Sequence, residues 1–432
     1  MPLLSYAEAA EQVHRFIQAM ADGVFPGKTE PEAEALPAAF RGINSRVETV
    51  SLAEASGRVL AEPLPADRDQ PPFPRATRDG FACRAAEAST NQLLFLAGHL
   101  GAGDDPAATG SGKLGVGEVW EIMTGASVPV GADAVFMVEH SEHASNFVRL
   151  IAPRAIQPGE NIVPRGSEAH AGDLLVPPGV RLGPAQIALA AQCGYSRLRV
   201  AARPRVAILA TGDELVPVEE TPGPSQIRNS NAPMLAALVA AAGGEPLILP
   251  AVPDRDGPLD LAIQQALATD LLLVSGGISA GRFDLVEGAL TRAGARFFFG
   301  GVAIQPGKPI VFGQLPRSGQ SPLPFFALPG NPISSAVTFH LFAAPLLAAL
   351  GEDSTTLPRF ALAQLTTEWR GKSGLTRFLP AWCDFSMEPE VRLVLWQGSG
   401  DIAAFVRSNC FLVVPAETQE IAAGSIVQIL LA

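Results

Sequence analysis

The chain contains 432 residues, carries a formal net charge of −12, and includes 42 glycines and 38 prolines. This length allows several domains, and so many turn-forming residues indicate a multi-domain, partly β architecture. No run of Lys and Arg occurs, so nucleic acid is not expected as a partner. The four cysteines are scattered without a C-x-x-C pair, which argues against structural zinc or a disulfide framework and predicts a cytoplasmic location.

The N-terminal segment predicts an amphipathic helix rather than an export signal. It has no basic start, and Glu8 and Glu11 would lie in any apolar core of a signal sequence. The longest apolar stretch, residues 336–350, is too short to span a bilayer and contains His340 and Pro345. No membrane association is therefore expected.

Strand and helix patterns alternate through the middle of the chain. Apolar, β-branched segments predict strands within residues 203–215 and 244–256. Helices are predicted at residues 231–242, 258–268 and 284–293. This alternation is typical of βαβ units with a parallel sheet. Ligands of such sheets lie beyond the carboxyl ends of the strands, where Asp213, Glu214 and Asp254 are expected.

Three glycine-bearing turns follow, each attached to an apolar run. They lie in LLLVSGGISAGRFD (271–284), IQPGKPIVFG (304–313) and FFALPGNPISS (325–335), and each predicts a buried strand that runs into a turn. Gly276 and Gly277 allow backbone N–H groups to approach a ligand closely, and Lys308 adds a cation. Asn331 and Pro332 predict the cap and first residue of a helix whose first N–H groups are free for an anion. Together the turns predict a site for a phosphorylated ligand.

Acidic residues are interleaved with these turns. Asp213, Glu214, Asp254 and Asp284 would supply hard oxygen ligands, which suit Mg²⁺ together with water and substrate phosphate. The alternative is that Asp213 and Asp284 are helix caps or turn formers. That alternative is weaker for the whole set, because caps need not follow successive strands beside glycine turns.

The motifs, in their order, resemble those of a known enzyme family. TGDEL, SGGIS with Asp284 downstream, IQPGKP and LPGNP resemble the motifs of the molybdopterin molybdenumtransferases, the bacterial MoeA family, to which the E domain of gephyrin is related. Further similarity lies in RDGFA (78–82), IMTGASVPVGADAV (122–135), GENIVPRGSEAHAG (159–172), WQGSGDIAAF (396–405) and NCF (409–411). The resemblance covers nearly the whole chain from about residue 51 onward.

The resemblance implies a reaction and an architecture. The family cleaves AMP from adenylylated molybdopterin with the help of Mg²⁺ and leaves molybdenum, taken from molybdate, on the pterin dithiolene. The implied fold is α/β plus β and multi-domain, with a parallel-sheet α/β domain of the molybdopterin-binding type. Its expected parts are an elongated discontinuous domain (1–60 and 153–200), an inserted β-rich domain (61–152), the α/β domain (203–350) and a C-terminal β domain (357–432). The family also implies a homodimer whose sites are shared between protomers, and a molybdopterin adenylyltransferase as a partner.

Site residues carry over from the resemblance at matching positions. The catalytic set is Asp79, Thr124, Glu214, Asp254, Asp284 and Lys308, and the metal set is Asp213, Glu214, Asp254 and Asp284. The substrate-binding set is Gly276, Gly277, Ser279, Pro329, Asn331, Pro332, Arg377 and Ser399. The alternative for Thr124 is a simple turn residue, and Arg377 could equally be a surface charge. One departure is Gln305, where many relatives have a second lysine, and another is the segment 19–46, which is longer than usual and carries no functional signal.

Three other functions remain open at this level. A related adenylyltransferase shares the α/β domain type but needs neither the RDGFA and IMTGA unit nor the C-terminal β domain. A non-catalytic scaffold, as in the gephyrin E domain, is disfavoured by the intact acid set. Tungstate in place of molybdate is not distinguished by any residue, since the two oxyanions have nearly the same size and charge.

Overall fold

The computed structural model describes residues 3–22, 46–109, 112–152, 154–277, 284–355 and 357–432. The chain forms two compact units. Unit 1 comprises Met1–Ala61, Gly179–Gly183 and Arg197–Ala432, and unit 2 comprises Glu62–Pro178 and Pro184–Ser196. The four-part domain division expected from the sequence has different boundaries, since it groups residues 153–200 with 1–60, and it stays a prediction. Most of the unusually long segment 19–46 lies outside the described residues.

Helices and strands alternate in the middle of the described chain, whereas residues 47–176 and 360–431 are mostly strands and loops. The helices α1 to α8 are Tyr6–Ala21, Pro184–Gln192, Asn231–Ala241, Asp256–Ala266, Asp284–Arg292, Pro332–Thr338, Ala344–Leu350 and Ile402–Val406. The strands β1 to β14 are Val47–Ser51, Leu64–Pro65, Arg75–Ala76, Gly80–Cys83, Leu94–Leu100, Glu118–Ile122, Ala134–Met137, Ser141–Ala144, Phe147–Leu150, Ile162–Val163, Leu174–Val176, Arg197–Ala201, Arg205–Ala210 and Leu215–Val216. The strands β15 to β28 are Ile227–Arg228, Glu245–Ile248, Leu271–Ser275, Arg296–Gly300, Ile304–Gln305, Val311–Leu315, Leu323–Leu328, Phe360–Leu365, Trp369–Arg370, Thr376–Cys383, Glu390–Leu393, Cys410–Val414, Glu420–Ile421 and Ile426–Leu431.

The centre of unit 1 is a six-stranded sheet in the order β16-β13-β17-β21-β20-β18. Its first four strands are parallel, and β20 and β18 are antiparallel at one side. The strands β13, β17 and β21 are apolar and buried along nearly their whole length, as expected for strands covered on both faces. The predicted parallel α/β arrangement is confirmed for these four strands.

Alternate residues of the central strands pack on opposite faces of this sheet. Val206, Ile208 and Leu273 pack in a core with α3, α6 and α7, whereas Ala207 and Leu272 pack in a second core with α4 and α5. This follows from the period of two along a strand. The predicted N-terminal helix is α1, which has a capping box and adds apolar residues to the first core. Its buried residues are Ala9, Val13, Phe16 and Met20.

The second glycine turn differs from the expected strand-then-turn order. The residues before it form only the two-residue strand β19, which belongs to another sheet, and the longer strand, β20, follows the turn. Because β20 runs antiparallel to β21, with Val311 opposite Ala327, the start of β20 lies beside the end of β21. The turn therefore lies at the same sheet edge as the other two turns. The cause is the antiparallel direction of β20, which the local sequence pattern does not indicate.

The C-terminal part of unit 1 is a closed sheet. Its strands follow the order β24-β25-β22-β28-β26, and β26 pairs back to β24. The last strand, β28, Ile426–Leu431, pairs with both β22 and β26. The short strand β19 joins β24 in parallel and aligns Gln305 with Arg377. The turn that carries Lys308 is thereby linked to the C-terminal sheet.

The apolar stretch near residue 340 is longer than the sequence suggested. Pro332–Leu350 is a helical run of 19 residues, long and apolar enough to cross a membrane by composition. Of its most apolar window, however, 83% is buried inside the protein, as in the core helix of a globular unit. A π-helical turn, Phe339–Ala343, precedes Pro345, whose ring and missing N–H are incompatible with an uninterrupted α-helix. The apolar composition of this segment is therefore explained by its burial in the core, and not by the short length inferred from the sequence.

Unit 2 is β-rich, as expected. Its main sheet has the order β7-β4-β6-β5-β9-β8, and Phe81, Val119 and Phe136 lie in its core. The strands β4 and β6 are antiparallel, with Gly80 opposite Ile122. The residue before β4 therefore lies near the residues that follow β6.

Candidate functional site

Two turns meet at the carboxyl edge of the parallel strands. The N–H of Thr211, after β13, donates to the carbonyl of Ser275 at 3.0 Å, and the N–H of Gly276 donates to the carbonyl of Leu328 at 3.3 Å. Gly276 has φ +99°, and a Cβ there would lie 2.3 Å from the Thr211 carbonyl oxygen. Only glycine fits such a position, but the group that approaches closely is the Thr211 carbonyl, and the Gly276 N–H is used by the Leu328 carbonyl rather than free for a ligand.

Asn231 connects these turns to the third one and was not predicted from the sequence. Its Nδ2 donates to Ser275 Oγ at 2.8 Å and to the Gly330 carbonyl at 2.6 Å. The carbonyl can only accept, so the amide orientation is defined by this contact. The Asn231 Oδ1 is buried without a hydrogen-bond partner. The only sequence signal was the polar run of residues 229–231 before the apolar helix α3.

The third turn begins a helix, as predicted, but its polar groups are used differently. Asn331 is the N-cap residue and Pro332 the first residue of α6. The Asn331 side chain does not cap the helix; its Nδ2 donates to Ser399 Oγ at 2.9 Å. The N–H of Ile333 donates to the Ser399 carbonyl at 3.0 Å, so this group is not free for an anion as the sequence suggested. Pro329 is buried, and its carbonyl accepts a hydrogen bond from Ser335 Oγ.

Three of the four predicted acids are close to one another. Thr211 Oγ1 donates to Asp254 Oδ1, and the Asp254 N–H donates to Asp213 Oδ1 at 3.2 Å. The Glu214 carboxylate folds back over the turn, since a Cβ on Gly212 would lie 2.8 Å from its oxygens. Asp213 and Glu214 are exposed and Asp254 is half-buried. The strand ends therefore present acids to solvent rather than burying them.

These acids do not by themselves form a complete metal cage. Among the described residues, no three His, Cys, Asp or Glu side chains converge in a way that could hold an ion. Asp284 begins α5, but its side chain, like Ser279, lies outside the described part of the structure. Gly277 is described, has φ +66°, and would place a Cβ 2.5 Å from Val286 Cγ2. Mg²⁺ commonly uses one or two carboxylates plus water and phosphate, and Asp213, Glu214 and Asp254 have the chemistry for that role.

Two cations of the predicted set have different environments. Lys308 is exposed, and its ammonium has no ion pair within the described ranges. Arg377 is only 9% exposed; its guanidinium lies 5.7 Å from the Trp369 ring centroid and donates to the Leu375 carbonyl at 3.2 Å. The alternative that Arg377 is a surface charge is therefore wrong. Gln305 is exposed beside it on the paired strand.

Asp79 and Thr124 form a pair within unit 2. The N–H and Oγ1 of Thr124 both donate to Asp79 Oδ1, at 2.6 and 2.7 Å. These two hydrogen bonds lower the pKa of the Asp79 carboxyl below its usual range, because they favour the ionised form. Thr124 is thus more than a simple turn residue: it holds a solvent-exposed carboxylate in its charged state.

The four cysteines add no reactive or charged group to these clusters. Cys83, Cys193, Cys383 and Cys410 are all buried and free. Burial is the largest cause that raises the pKa of Cys83 and of Cys410 to about 12. Such thiols behave as small apolar residues.

Comparison with known proteins covers almost the whole chain. Family models match as the MoeA N-terminal region (domain I and II) over residues 5–194, a probable molybdopterin binding domain over 207–349, and the MoeA C-terminal region (domain IV) over 363–432. The chain is 34% identical to the molybdopterin molybdenumtransferase of Bacillus subtilis (strain 168) over 398 residues, which is 89% of each protein. It is 32% identical to that of Haemophilus influenzae over 393 residues, covering 89% of this chain and 94% of the relative.

Solved structures are similar over the same extent. A molybdopterin biosynthesis MoeA protein from Pyrococcus horikoshii OT3 has a TM-score of 0.78 at 25% identity, with 100% of both chains covered. A second structure of a MoeA protein, from Pyrococcus horikosii, has a TM-score of 0.74 at 29% identity and covers 100% of this chain and 99% of its own. The similarity therefore extends over both units.

Proposed function

The chain belongs to the MoeA family of molybdenum cofactor biosynthesis, and on this premise we propose that it is a molybdopterin molybdenumtransferase. It takes adenylylated molybdopterin and molybdate as substrates, inserts molybdenum into the pterin dithiolene, and releases AMP in a Mg²⁺-dependent step. The relatives that span about nine-tenths of the chain carry this name.

The gathering of three turns at one edge of the central sheet is the observation that carries the proposal. Asn231 hydrogen-bonds to Ser275 and Gly330, and Asn331 hydrogen-bonds to Ser399, so segments from distant parts of unit 1 meet there. An anionic substrate that carries a pyrophosphate is bound by nearby cations and by backbone N–H groups at close range. Lys308 supplies an exposed cation at this edge, whereas the N–H groups of Gly276 and Ile333 already donate to carbonyls of the protein.

The acids at this edge fit a magnesium ion. Asp213, Glu214 and Asp254 would hold it, because carboxylate oxygens are its preferred protein ligands and the first two are exposed to solvent. When bound, the ion would polarise the phosphoanhydride and neutralise charge on the leaving AMP. The Thr211 hydroxyl orients Asp254 by donating to its carboxylate.

The remaining chemistry requires positioning rather than a protein nucleophile. The substrate sulfurs are the ligands of the inserted metal, so no protein nucleophile is needed, and GxxxxGKS does not occur in the sequence. Lys308 would contact anionic oxygens directly. Arg377 is held against Trp369 and would present its charge from a buried position, where it is screened less than at the surface.

The direct test is AMP release from adenylylated molybdopterin by the purified protein, with and without molybdate. Glu214→Gln and Asp254→Ala should each reduce the single-turnover rate much more than they weaken substrate binding measured by calorimetry. Asp260→Asn, an exposed acid of α4 that pairs with Arg292, is the matched control and should behave as wild type.

Three results would count against this function. Formation of adenylylated molybdopterin from ATP would identify an adenylyltransferase. Binding without AMP release under any oxyanion condition would indicate a scaffold. Lost binding with an unchanged rate at saturation in the Glu214 and Asp254 variants would refute their metal role. Metal analysis of the product formed with molybdate and tungstate together would decide between these anions.

We further propose that the protein acts in the cytoplasm as a homodimer and receives its substrate from a molybdopterin adenylyltransferase. The support is the family resemblance, since an adenylylated substrate requires an adenylylating enzyme upstream. Native mass spectrometry at micromolar concentration should detect a dimer, and a strictly monomeric protein with full activity would refute this part.

A further inference from the structure

A single segment of unit 1 links two parts of the proposed site. It runs from Glu214, one of the acids at the sheet edge, to Asn231, whose amide joins two of the turns. Within this segment, β14 and β15 pair in parallel with Leu215 opposite Ile227, and residues 217–226, the connecting loop, join the two strands. Both ends of the segment therefore carry residues of the site.

The pairing of β14 with β15 restrains the backbone of Glu214. The Ile227 N–H donates to the Glu214 carbonyl at 2.9 Å, and the Leu215 N–H closes a turn by donating to the Gly212 carbonyl at 3.2 Å. The Glu214 carboxylate folds back over Gly212 and is exposed, so its direction depends on the local backbone and not on packing in a core. Loss of the strand pairing would release Glu214 on its C-terminal side.

This strand pairing needs support from outside the two strands. Each strand has only two residues. Parallel strands are normally joined by a crossover of a dozen or more residues, usually an α-helix. Here an irregular and mostly exposed loop joins them. A further restraint on the connecting loop would therefore stabilise the pair.

Arg228, the last residue of β15, supplies such a restraint. Its Nε donates to the Val218 carbonyl at 2.9 Å and to the Glu220 carbonyl at 3.0 Å. These carbonyls belong to the first turn of the connecting loop, which the Glu220 N–H closes by donating to the Pro217 carbonyl at 3.2 Å. A charged donor makes stronger hydrogen bonds than a neutral one. Arg228 thus ties the start of the loop to the strand at its end.

We propose that Arg228 is a positioning residue for Glu214. By holding the connecting loop, it keeps β15 paired with β14 and fixes the direction of the Glu214 carboxylate at the strand end. Arg228 acts through backbone hydrogen bonds and not through contact with the substrate. The inference rests on the proposed function, in which Glu214 is a ligand of the magnesium ion.

The test is Arg228→Met in the full-length protein, since methionine keeps an extended side chain and removes the donors. Hydrogen–deuterium exchange should become about threefold to tenfold faster at the amides of Ile227 and Asn229, which donate to the carbonyls of Glu214 and Val216. The Mg²⁺ concentration for half-maximal AMP release should rise by a similar factor. The rate at saturating Mg²⁺ and the KM for adenylylated molybdopterin should stay within about twofold of wild type, because the other acids and the turns are retained.

Two further variants separate positioning from a general loss of stability. Arg228→Lys keeps a charged donor that can reach backbone carbonyls, so its Mg²⁺ dependence should lie closer to wild type than that of Arg228→Met. Arg197→Met is the matched control, because Arg197 is also exposed and donates to one backbone carbonyl, that of Thr49, at 3.2 Å. This control should show wild-type Mg²⁺ dependence and wild-type exchange at Ile227 and Asn229. If Arg228→Met does not fold, Arg228→Gln, whose amide is too short to reach both carbonyls, replaces it.

The results distinguish a failure of this inference from a failure of the proposed function. Absence of AMP release by the wild-type protein would refute the proposed function and the inference with it. Normal AMP release by wild type, with unchanged Mg²⁺ dependence or unchanged amide exchange in Arg228→Met, would refute the inference alone. A variant that lost rate at saturating Mg²⁺ but kept its half-saturating concentration would also refute it, as would Arg228→Lys behaving like Arg228→Met.

Discussion

Replacement of Gly276 by alanine should be far more damaging than replacement of another glycine with the same backbone conformation. Gly276 has φ +99° and Gly374 has φ +108°, so both pay the left-handed penalty of an alanine, about 1–2 kcal/mol. They differ in surroundings: a Cβ on Gly374 meets nothing within 4 Å, whereas one on Gly276 would lie 2.3 Å from the Thr211 carbonyl oxygen.

The size of the difference follows from that contact. The added Cβ would lie 2.3 Å from the Thr211 carbonyl oxygen, whereas real Cβ contacts are at least 3.0 Å. The carbonyl must therefore move away by about 0.7 Å. Forced displacements in packed regions cost about 1–3 kcal/mol, so Gly276→Ala should lose about 2–5 kcal/mol of unfolding free energy, against about 1–2 kcal/mol for Gly374→Ala. Thr211 also holds Asp254, and a misplacement of this order lowers catalytic rate by about 100-fold.

Urea unfolding and single-turnover AMP release measure the two effects separately. Gly374→Ala should release AMP at nearly the wild-type rate under conditions in which it is folded. Equal destabilisation of the two variants, or full activity of folded Gly276→Ala, would refute the argument that close approach of the two turns shapes the site.

Four further predictions concern the same sites. Asn231→Ala should lower the free energy of unfolding by about 1–3 kcal/mol and slow AMP release, because two partners lose their donor. Thr124→Ala should raise the Asp79 pKa toward its ordinary value, as measured by NMR titration of the carboxyl group. Because the pKa of Asp79 is lowered in the folded protein, its ionised form stabilises the fold at neutral pH. This stabilisation is lost as the pH falls through the folded-state pKa. Gln305→Lys should be tolerated and tighten molybdate binding measured by calorimetry, since it adds a cation near an anion. Asp79→Ala and Lys308→Ala chains, each inactive alone, should regain roughly a quarter of wild-type AMP release after subunit exchange, if sites are shared across a two-fold dimer.

Each of these has an outcome that would contradict it. An Asn231→Ala protein with wild-type stability and rate would mean that the amide does not position the turns. An unchanged Asp79 titration in Thr124→Ala would remove the hydrogen-bond explanation. Severe loss of activity in a folded Gln305→Lys protein would show a differently arranged pocket. Heterodimers confirmed by native mass spectrometry but without recovered activity would mean that each site is built within one chain.

The sequence by itself was sufficient for the local elements and for the family. Continuous apolar runs predicted β13, β17 and β21, and apolar-rich or mixed segments predicted α3, α4 and α5, each to within a few residues, because such runs are local properties of the chain. Asn331 and Pro332 begin α6 as the cap preference of asparagine and the fixed φ of proline predict. The glycine at position 276 was recognisable because only glycine tolerates the required conformation.

Contacts between distant segments were decided by the tertiary structure. No local pattern indicates that Asn231 donates to Ser275 and Gly330, or that Ser399 meets Asn331, because these pairs depend on how sheets and loops pack. The second glycine turn reaches the site edge only because β20 runs antiparallel to β21.

The environment of Arg377 shows most clearly how residue type, which the sequence gives, differs from burial, which the tertiary structure decides. Its charge is visible in the sequence, but its burial against Trp369 depends on pairing of β19 with β24 and closure of the C-terminal sheet. Residue type determines which chemistry a side chain can perform. Burial and neighbours, which arise from packing of segments far apart in the chain, determine whether that chemistry is available at the site.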